Sequence, residues 1–373
     1  MGVLFSAASR EFEIIRDDWL RSLEEIAARG AFVGGPPVAR FEQAFAGYIG
    51  TSEAIGVGNG TDSLYLILKA LGVGPGDEVI TAANTFIATV EAIHHTGATP
   101  VLADCRSDDF LIDAEQVRRR ITSRTKAILP VHLYGQIADM DEILDIARER
   151  GIHVVEDSAQ AAGARRKGKA AGSFGIAGSF SFYPDKNLGA IGDGGGIVTS
   201  DAKLAASVRK LRNHGGEVRY QHDVPGFNSR LDPIQAAALE LKLKHLDEWN
   251  RARRQVAGWY EHYLGPIGGI ELPRHRGDES HAFHVYVVRV DEKARDRVRK
   301  QLQKKGVLTA VHYPLPVHLT PAFRHLGHQA GDYPVSEAFA GQILSLPMNI
   351  AVREEDVALI ARELASALGA IHV

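Results

Sequence analysis

The sequence predicts an α/β fold in which a large domain, built on a mostly parallel sheet flanked by helices, is followed by a smaller α+β domain. Short β-rich runs alternate with longer helical patterns between residues 54 and 199, the layout of a parallel sheet covered by crossover helices. After a long helical pattern at residues 234–254, the order changes to an alternating strand and two further helices. The length of 373 residues also exceeds the size at which a single core usually keeps growing.

Three segments are expected from this layout. Residues 1–30 are predicted to contain an N-terminal helix that packs on the small domain, residues 31–245 to form the large domain, and residues 246–373 to form the small C-terminal domain. The strands of the large domain are predicted at residues 54–58, 78–81, 100–104, 127–131, 153–156, 178–182 and 196–199. The helices between and after them are predicted at residues 63–71, 87–95, 114–121, 140–150 and 202–212.

The composition is that of a globular protein with a small-molecule substrate. Apolar residues make up 45% and charged residues 24%, and the formal net charge is −3, without the basic blocks that a nucleic-acid binder needs. No apolar run approaches the ~20 residues that span a bilayer, and the first nine residues do not resemble a secretory signal. The single cysteine, Cys105, excludes an internal disulfide. We therefore expect a cytoplasmic protein that binds neither membranes nor nucleic acid.

Lys186 stands in an unusual setting for a lysine. The segment GSFSFYPDKNLGAIGDGGG places it after an aromatic strand and before a glycine-rich stretch, and Pro184 fixes the backbone two residues earlier. A lysine held in a partly desolvated pocket has a destabilised ammonium, which leaves a neutral amine free to form a Schiff base. An ordinary solvated lysine in a loop is equally compatible with this segment alone.

A second set of polar residues follows the predicted strand at 153–156. Glu156 and Asp157 stand at its carboxyl end, where open α/β sheets bind ligands. An aspartate facing a pyridine nitrogen keeps that nitrogen protonated, which is the main electronic contribution of a protein to pyridoxal 5′-phosphate. Gln160 could then bond the ring hydroxyl. The alternative is that Asp157 is only the N-cap of a following helix.

A third site is predicted where the strand at 54–58 turns into a helix. Gly60, Thr61 and Asp62 begin that helix, and its free amides suit a phosphate. The rival dinucleotide fingerprint requires a glycine where this chain has Thr61. The hydroxyl of Ser181 could bind the same phosphate, and Phe86 could stack on the cofactor ring. Taken alone, Ser181 is equally compatible with an ordinary strand residue and Phe86 with a core residue.

In this order, the motifs resemble the DegT/DnrJ/EryC1/StrS family of sugar aminotransferases. The resemblance covers nearly the whole chain and rests on FVGGPPVARFEQAFA, GNGTDSL, EDSAQ, SFSFYPDKNLGAIGDGG, LRNHGG, GFNSRLDPIQAA and HYPLPVHL. It implies the PLP-dependent transferase fold type I, pyridoxal 5′-phosphate as cofactor, and a homodimer with active sites at the subunit interface.

The resemblance also implies individual roles. Lys186 would be the Schiff-base lysine, Asp157 would face the pyridine nitrogen and Gln160 the ring oxygen. The phosphate would be held by Thr61, Asp62 and Ser181, with Phe86 stacked on the ring, and Asn228 would reach the phosphate of the neighbouring subunit's cofactor. Relatives that dehydrate sugars carry histidine in place of the lysine, so Lys186 favours amino transfer.

The resemblance points to a nucleoside-diphosphate-linked keto-deoxyhexose as substrate and glutamate as donor. The loop FYPDKNLGAIGDGG is similar to that of enzymes that aminate C3 rather than C4. Arg230 is expected either to bind a donor carboxylate or sugar-nucleotide phosphate, or to be a structural interface residue. His312, Tyr313 and His318 are expected at the substrate mouth, and a metal site is not expected, because no carboxylate or thiol stands at suitable spacing from the histidines.

Three alternatives remain from the sequence. A C4 aminotransferase or a PLP-dependent sugar dehydratase would share most of these motifs. A non-catalytic regulator that binds sugar nucleotides would share the fold, since fold does not fix function.

Overall fold

The computed structural model describes residues 3–275 and 278–369. The strands are β1 (Glu53–Val57), β2 (Glu78–Ala82), β3 (Thr99–Ala103), β4 (Thr125–Leu129), β5 (His153–Asp157), β6 (Arg165–Arg166), β7 (Lys169–Ala170), β8 (Ala177–Ser181), β9 (Gly195–Thr199), β10 (Ile270–Glu271), β11 (Tyr286–Val290) and β12 (Ile343–Leu346). The α-helices are α1 (Ala8–Arg29), α2 (Pro36–Ile49), α3 (Gly60–Ala70), α4 (Ile87–His95), α5 (Ala114–Arg120), α6 (Met140–Arg150), α7 (Ala202–Leu211), α8 (Pro233–Leu243), α9 (Leu246–Leu264), α10 (Glu292–Lys304), α11 (Pro334–Gln342) and α12 (Glu354–Leu368). Among these helices, none combines the length and the apolar character needed to cross a membrane.

The large sheet confirms the predicted α/β fold class. Within the described residues it has seven strands in the order β1-β9-β8-β5-β4-β2-β3, and all of them except β9 run in the same direction. The seven strand predictions each overlap one of these strands. The central strands β2, β4 and β5 are almost entirely buried, because helices cover both faces of the sheet.

The reversed direction of β9 has a simple cause. A glycine-rich loop without a crossover helix joins β8 to β9, so the chain returns alongside β8 in the antiparallel sense. That loop carries Lys186. The reversal therefore holds the lysine loop at the end of the sheet where the parallel strands terminate.

The C-terminal part of the chain forms a separate three-stranded antiparallel sheet, β10-β11-β12. Helices α9, α10 and α12 bury their apolar faces in the same cluster as this sheet. Tyr260 of α9 and Tyr286 of β11 are both fully buried and stack with ring centroids 4.6 Å apart.

The N-terminal helix packs on α8, and the segment before it contacts the C-terminal part of the chain. Along its length α1 packs on α8, where Trp19 Nε1 donates to the carbonyl of Ile234 at 3.3 Å. The segment before α1 instead contacts the C-terminal part: Val3 pairs with Val307, and Asn349 Nδ2 donates to the carbonyl of Leu4 at 3.0 Å. The three domain boundaries given above stay a prediction.

Two consecutive carboxylates of β5 have different functions in the fold. Because side chains alternate along a strand, Glu156 points to the face opposite Asp157. Its two carboxylate oxygens accept hydrogen bonds from the amides of Gly172, Phe174 and Gly175, each at 2.7 Å, and one oxygen lies 2.9 Å from Nε2 of His132. Glu156 therefore holds the 172–175 turn and does not enter the ligand site.

We expect Glu156→Ala to lower the free energy of unfolding by about 3 kcal/mol, because it leaves one buried and two partly buried amides without an acceptor. Urea denaturation at fixed protein and cofactor concentration measures the change. Glu149→Ala is the control, since Glu149 pairs with Arg118 at the surface. Equal stability of the two variants would contradict this account of the turn.

Candidate active site

The carboxyl ends of the parallel strands border a cavity of about 400 Å³. This volume lies within the range of roughly 300–1,000 Å³ that is typical of small-molecule sites. The residues before α1 and the start of α1 form one wall, and the segments before β11 and after α10 form another. Of the residues predicted from the sequence, those that line it are Gly60, Thr61, Phe86, Asp157, Gln160, Ser181, Lys186, His312 and Tyr313.

Lys186 reaches into this cavity from the loop between β8 and β9. Its backbone amide donates to the carbonyl of Tyr183 at 2.8 Å, which closes a tight turn. Gly189 packs so closely on the carbonyl of Pro184 that a Cβ at this position would collide with it, so the loop requires a glycine there. Burial lowers the pKa of Lys186 to about 8, against smaller opposing effects of Asp157 and Asp185. The ordinary solvated lysine is thereby ruled out.

Asp157 forms the polar floor of the cavity. One carboxylate oxygen accepts from the hydroxyl of Thr89 at 2.8 Å, and the other accepts from the amide of Ala159 at 3.1 Å. Burial raises the pKa of Asp157, while these hydrogen bonds and Lys186 oppose the rise. The chain turns after Asp157 rather than entering a helix, so the alternative role as a helix N-cap does not apply.

Gln160 is fixed by two neighbours. Its side-chain oxygen accepts from the amide of Tyr134 at 2.5 Å, and its Nε2 donates to the hydroxyl of Tyr313 at 2.9 Å. The ring of Tyr313 lies 5.3 Å from that of Phe86, measured between centroids. Phe86 is 50% exposed, so it is a wall of the cavity and not a core residue.

The N-terminus of α3 forms the corner of the cavity that suits a phosphate. Asn59 caps the helix by accepting from the amide of Asp62 at 2.8 Å, and the amides of Gly60 and Thr61 belong to the first turn, which has no carbonyl partners within the helix. A Cβ on Gly60 would lie 2.8 Å from the Cβ of Ser181, which explains the glycine. The carboxylate of Asp62 points elsewhere and accepts from the hydroxyl of Ser229 at 2.6 Å.

Four predicted residues do not line the cavity of this chain: Asp62, described above, and Asn228, Arg230 and His318. Asn228 is exposed and pairs with Asn213, and Arg230 donates to the side-chain oxygen of Asn213 at 3.0 Å in a neighbouring depression. His318 is buried, with Nε2 3.0 Å from a carboxylate oxygen of Glu337. The structure therefore does not bring His318 to the predicted substrate mouth, since its segment turns inward against Tyr333.

Sequence reasoning missed several residues of the cavity wall. The imidazole of His284 lies beside the lysine, with Nε2 3.5 Å from Lys186 Nζ. Ser6 donates to Asp185 at 2.5 Å, and buried Glu11 lies 3.7 Å from the guanidinium of Arg253. These contacts join segments far apart in sequence, and the alternating pattern HVYVVRV at residues 284–290 indicated only a strand.

These residues fit pyridoxal phosphate. An amine with a lowered pKa, a carboxylate on the same cavity and a glycine-bounded helix N-terminus provide, in one space, the partners for its aldehyde, its ring nitrogen and its phosphate. The fold and this site define a pyridoxal-phosphate-dependent transferase with a lysine as the cofactor's covalent anchor.

Comparison with known proteins identifies the family. Residues 13–365 match the DegT/DnrJ/EryC1/StrS aminotransferase family, and the chain belongs to it. It is a pyridoxal-phosphate-dependent aminotransferase. The expected fold, cofactor and enzyme class are thus confirmed.

Two relatives and one solved structure show the degree of similarity. The chain is 44% identical to the dTDP-3-amino-3,4,6-trideoxy-alpha-D-glucose transaminase of Streptomyces venezuelae, over 90% of this chain and 88% of that protein. It is also 44% identical to the UDP-N-acetyl-3-dehydro-alpha-D-glucosamine 3-aminotransferase of Acidithiobacillus ferrooxidans, over 94% of each. The crystal structure of S. venezuelae DesV with a ketimine intermediate superposes with a TM-score of 0.95 at 42% identity, covering 100% of this chain and 99% of that one.

The lowered pKa of Lys186 predicts a pH dependence. Below about pH 8 the amine is mainly protonated and above it mainly neutral, so adduct formation between cofactor-free protein and pyridoxal phosphate should rise through this pH. The rate is measured by absorbance across a pH series. A midpoint near ~10.4, the ordinary value for lysine, would contradict the burial argument.

Proposed function

We propose that this chain transfers the amino group of glutamate to C3 of a nucleoside-diphosphate-linked keto-deoxyhexose and so produces an amino sugar. The main observation in support of amino transfer is that Lys186 and Asp157 line the same cavity, next to the N-terminus of α3. The position C3 is supported by the two relatives above, whose names place the nitrogen at position 3 of sugars carried by different nucleotides. The nucleotide itself is left open.

In this proposal Lys186 and Asp157 have separate roles in the reaction. Bound pyridoxal phosphate would supply an aldehyde that bonds amines reversibly and a ring that takes up the electrons of a breaking C–H bond. Lys186, once its amine is free, would remove a proton from the substrate carbon that bears the nitrogen. It would then deliver a proton to the former aldehyde carbon of the cofactor. Asp157 holds a proton on the ring nitrogen, and the hydrogen bonds from Thr89 and Ala159 keep its carboxylate in place.

The other cavity residues would bind and orient the cofactor. Gly60, Thr61 and Ser181 surround the corner proposed for the phosphate. Asp62 accepts a hydrogen bond from the hydroxyl of Ser229, which in turn accepts from the amide of Gly58, so Asp62 helps to fix the loop before α3. Phe86 would cover the ring and Gln160 would bond its oxygen, since both side chains face the cavity. His312 and Tyr313 also line the cavity, and we propose that they border the bound sugar.

We further propose a homodimer in which Asn228 and Arg230 serve the partner's site. Both residues lie outside the cavity of their own chain, next to the exposed apolar side chains Tyr220 and Phe227. Arg230 borders a depression on this surface, and its guanidinium suits a donor carboxylate or a nucleotide phosphate. The single cysteine is compatible with the proposed cytoplasmic location.

The substrate proposal predicts the products of a panel of keto sugars. With glutamate and nucleotide-linked 3-keto and 4-keto hexoses, we expect nitrogen at C3 of the product, located by NMR. Amination only at C4, or loss of the hydroxyl instead of amination, would favour the C4 aminotransferase or the dehydratase. Lys186→Ala is the control and should abolish turnover.

Borohydride reduction of the holoenzyme tests the covalent anchor independently of any sugar. Peptide mapping should place the pyridoxyl group on Lys186. A tag on another lysine would overturn the assignment of the site, and a protein that takes up no pyridoxal phosphate would favour the non-catalytic regulator.

The proposed exchange of Asn228 between subunits predicts complementation. Lys186→Ala and Asn228→Ala homodimers should each lose activity, the second through weaker phosphate binding. After the two proteins are dissociated and mixed, up to about one quarter of the wild-type sites should return, because mixed dimers carry one complete site. If mixing restores nothing while subunit exchange is demonstrated, Asn228 does not act in the partner's site.

A further inference from the structure

A histidine outside the proposed set of site residues lies in contact with the reacting amine. His284 precedes β11 and lines the cavity, and its Nε2 is 3.5 Å from Nζ of Lys186. Its backbone amide donates to the carbonyl of Tyr134 at 2.9 Å. Arg253 donates to the carbonyls of Phe283 and His284 at 3.4 and 3.5 Å. The imidazole is therefore held in place from its backbone and directed at the lysine.

The second ring nitrogen of His284, Nδ1, makes no hydrogen bond to the described residues. This nitrogen is also buried. A buried polar atom left unpaired costs about 1–3 kcal/mol, so a histidine kept only for packing would be unfavourable here. A functional role for the other nitrogen, which faces Lys186, accounts for this cost.

Burial, and to a smaller extent the charges around it, keep the imidazole of His284 neutral while Lys186 is protonated. Lys186, Arg253 and His312 all face it, and burial together with these groups lowers the pKa of His284 well below its usual range. When Lys186 loses its charge, the strongest of the three repulsions disappears. A positive charge on Lys186 therefore disfavours a second positive charge on His284, whose Nε2 is 3.5 Å away.

We propose that His284 is a catalytic residue that accepts a proton from Lys186 and returns it. This inference rests on the proposed function, because Lys186 has to act as a free amine in amino transfer. The donor enters as an ammonium, so the site holds one proton too many at the moment when Lys186 must act as base. An N–H bond breaks at Lys186 Nζ and one forms at His284 Nε2; no electrons are gained or lost, and the reverse step restores the lysine.

The test compares His284→Gln with the holoenzyme in a single half-reaction with glutamate, followed by absorbance. Glutamine can still accept a hydrogen bond from Lys186 but cannot carry its proton. We expect the rate to fall about 10²-fold, the lower end of the usual contribution of general acid–base catalysis. The matched control is His281→Gln, which removes a buried histidine of the same segment whose Nδ1 only accepts from the amide of Phe283. A rate within twofold of wild type for His284→Gln would overturn the proposal.

Two further measurements separate proton transfer from a structural effect. Free imidazole should restore the half-reaction of His284→Ala in proportion to the concentration of its neutral form, and absence of such rescue in a folded variant would overturn the proposal. Cofactor-free His284→Gln should also form its adduct with pyridoxal phosphate more slowly than wild type, with an unchanged dissociation constant. Borohydride mapping of His284→Gln should still tag Lys186, so a failure of the proposed function itself would be recognised separately.

Discussion

The desolvation of one amine is the constraint on which the rest of the structure depends. A lysine with its ordinary pKa is almost entirely an ammonium at neutral pH and a poor nucleophile, whereas burial of Lys186 brings its pKa to about 8. That burial is not supplied by the lysine loop alone. The start of α1, the end of β5 and the segment before β11 all close on the same cavity, so the chemistry requires the whole chain to be folded.

The same burial acts in opposite directions on the groups of the cavity. It lowers the pKa of Lys186 and raises the pKa of Asp157, and each group opposes the effect on the other by its charge. Hydrogen bonds from Thr89 and Ala159 favour the charged form of Asp157. A cationic ring nitrogen placed against this carboxylate would favour it further. The site is thus suited to a cationic partner beside Asp157 and to an amine, that of Lys186, which loses its proton more readily than an ordinary lysine.

Local patterns in the sequence were sufficient for the strands and for the residues at their ends. Asp157 and Ser181 end parallel strands and Thr61 follows one, so topology alone brings them together. Features set by distant contacts were not predictable: the long helical pattern at 234–254 divides into α8 and α9, and α2 was not anticipated. The alternation of side chains along β5 predicts that Glu156 and Asp157 lie on opposite faces. It does not predict which of the two faces the cavity, and the structure was needed to assign this.

The contacts of Asp185 show how this chain joins its N-terminus to the lysine loop. Asp185 accepts from the hydroxyl of Ser6, and the same N-terminal segment continues to Glu11, whose buried carboxylate lies 3.5 Å from the ammonium of Lys242 and 3.7 Å from the guanidinium of Arg253. Arg253 in turn donates to the carbonyl of Met348 at 2.8 Å. Because a buried carboxylate is stable only with such partners, folding of α1 and closure of the cavity wall depend on each other. Asp185, next to the reactive lysine, thus links the loop that carries Lys186 to the N-terminal segment that forms one wall of the cavity.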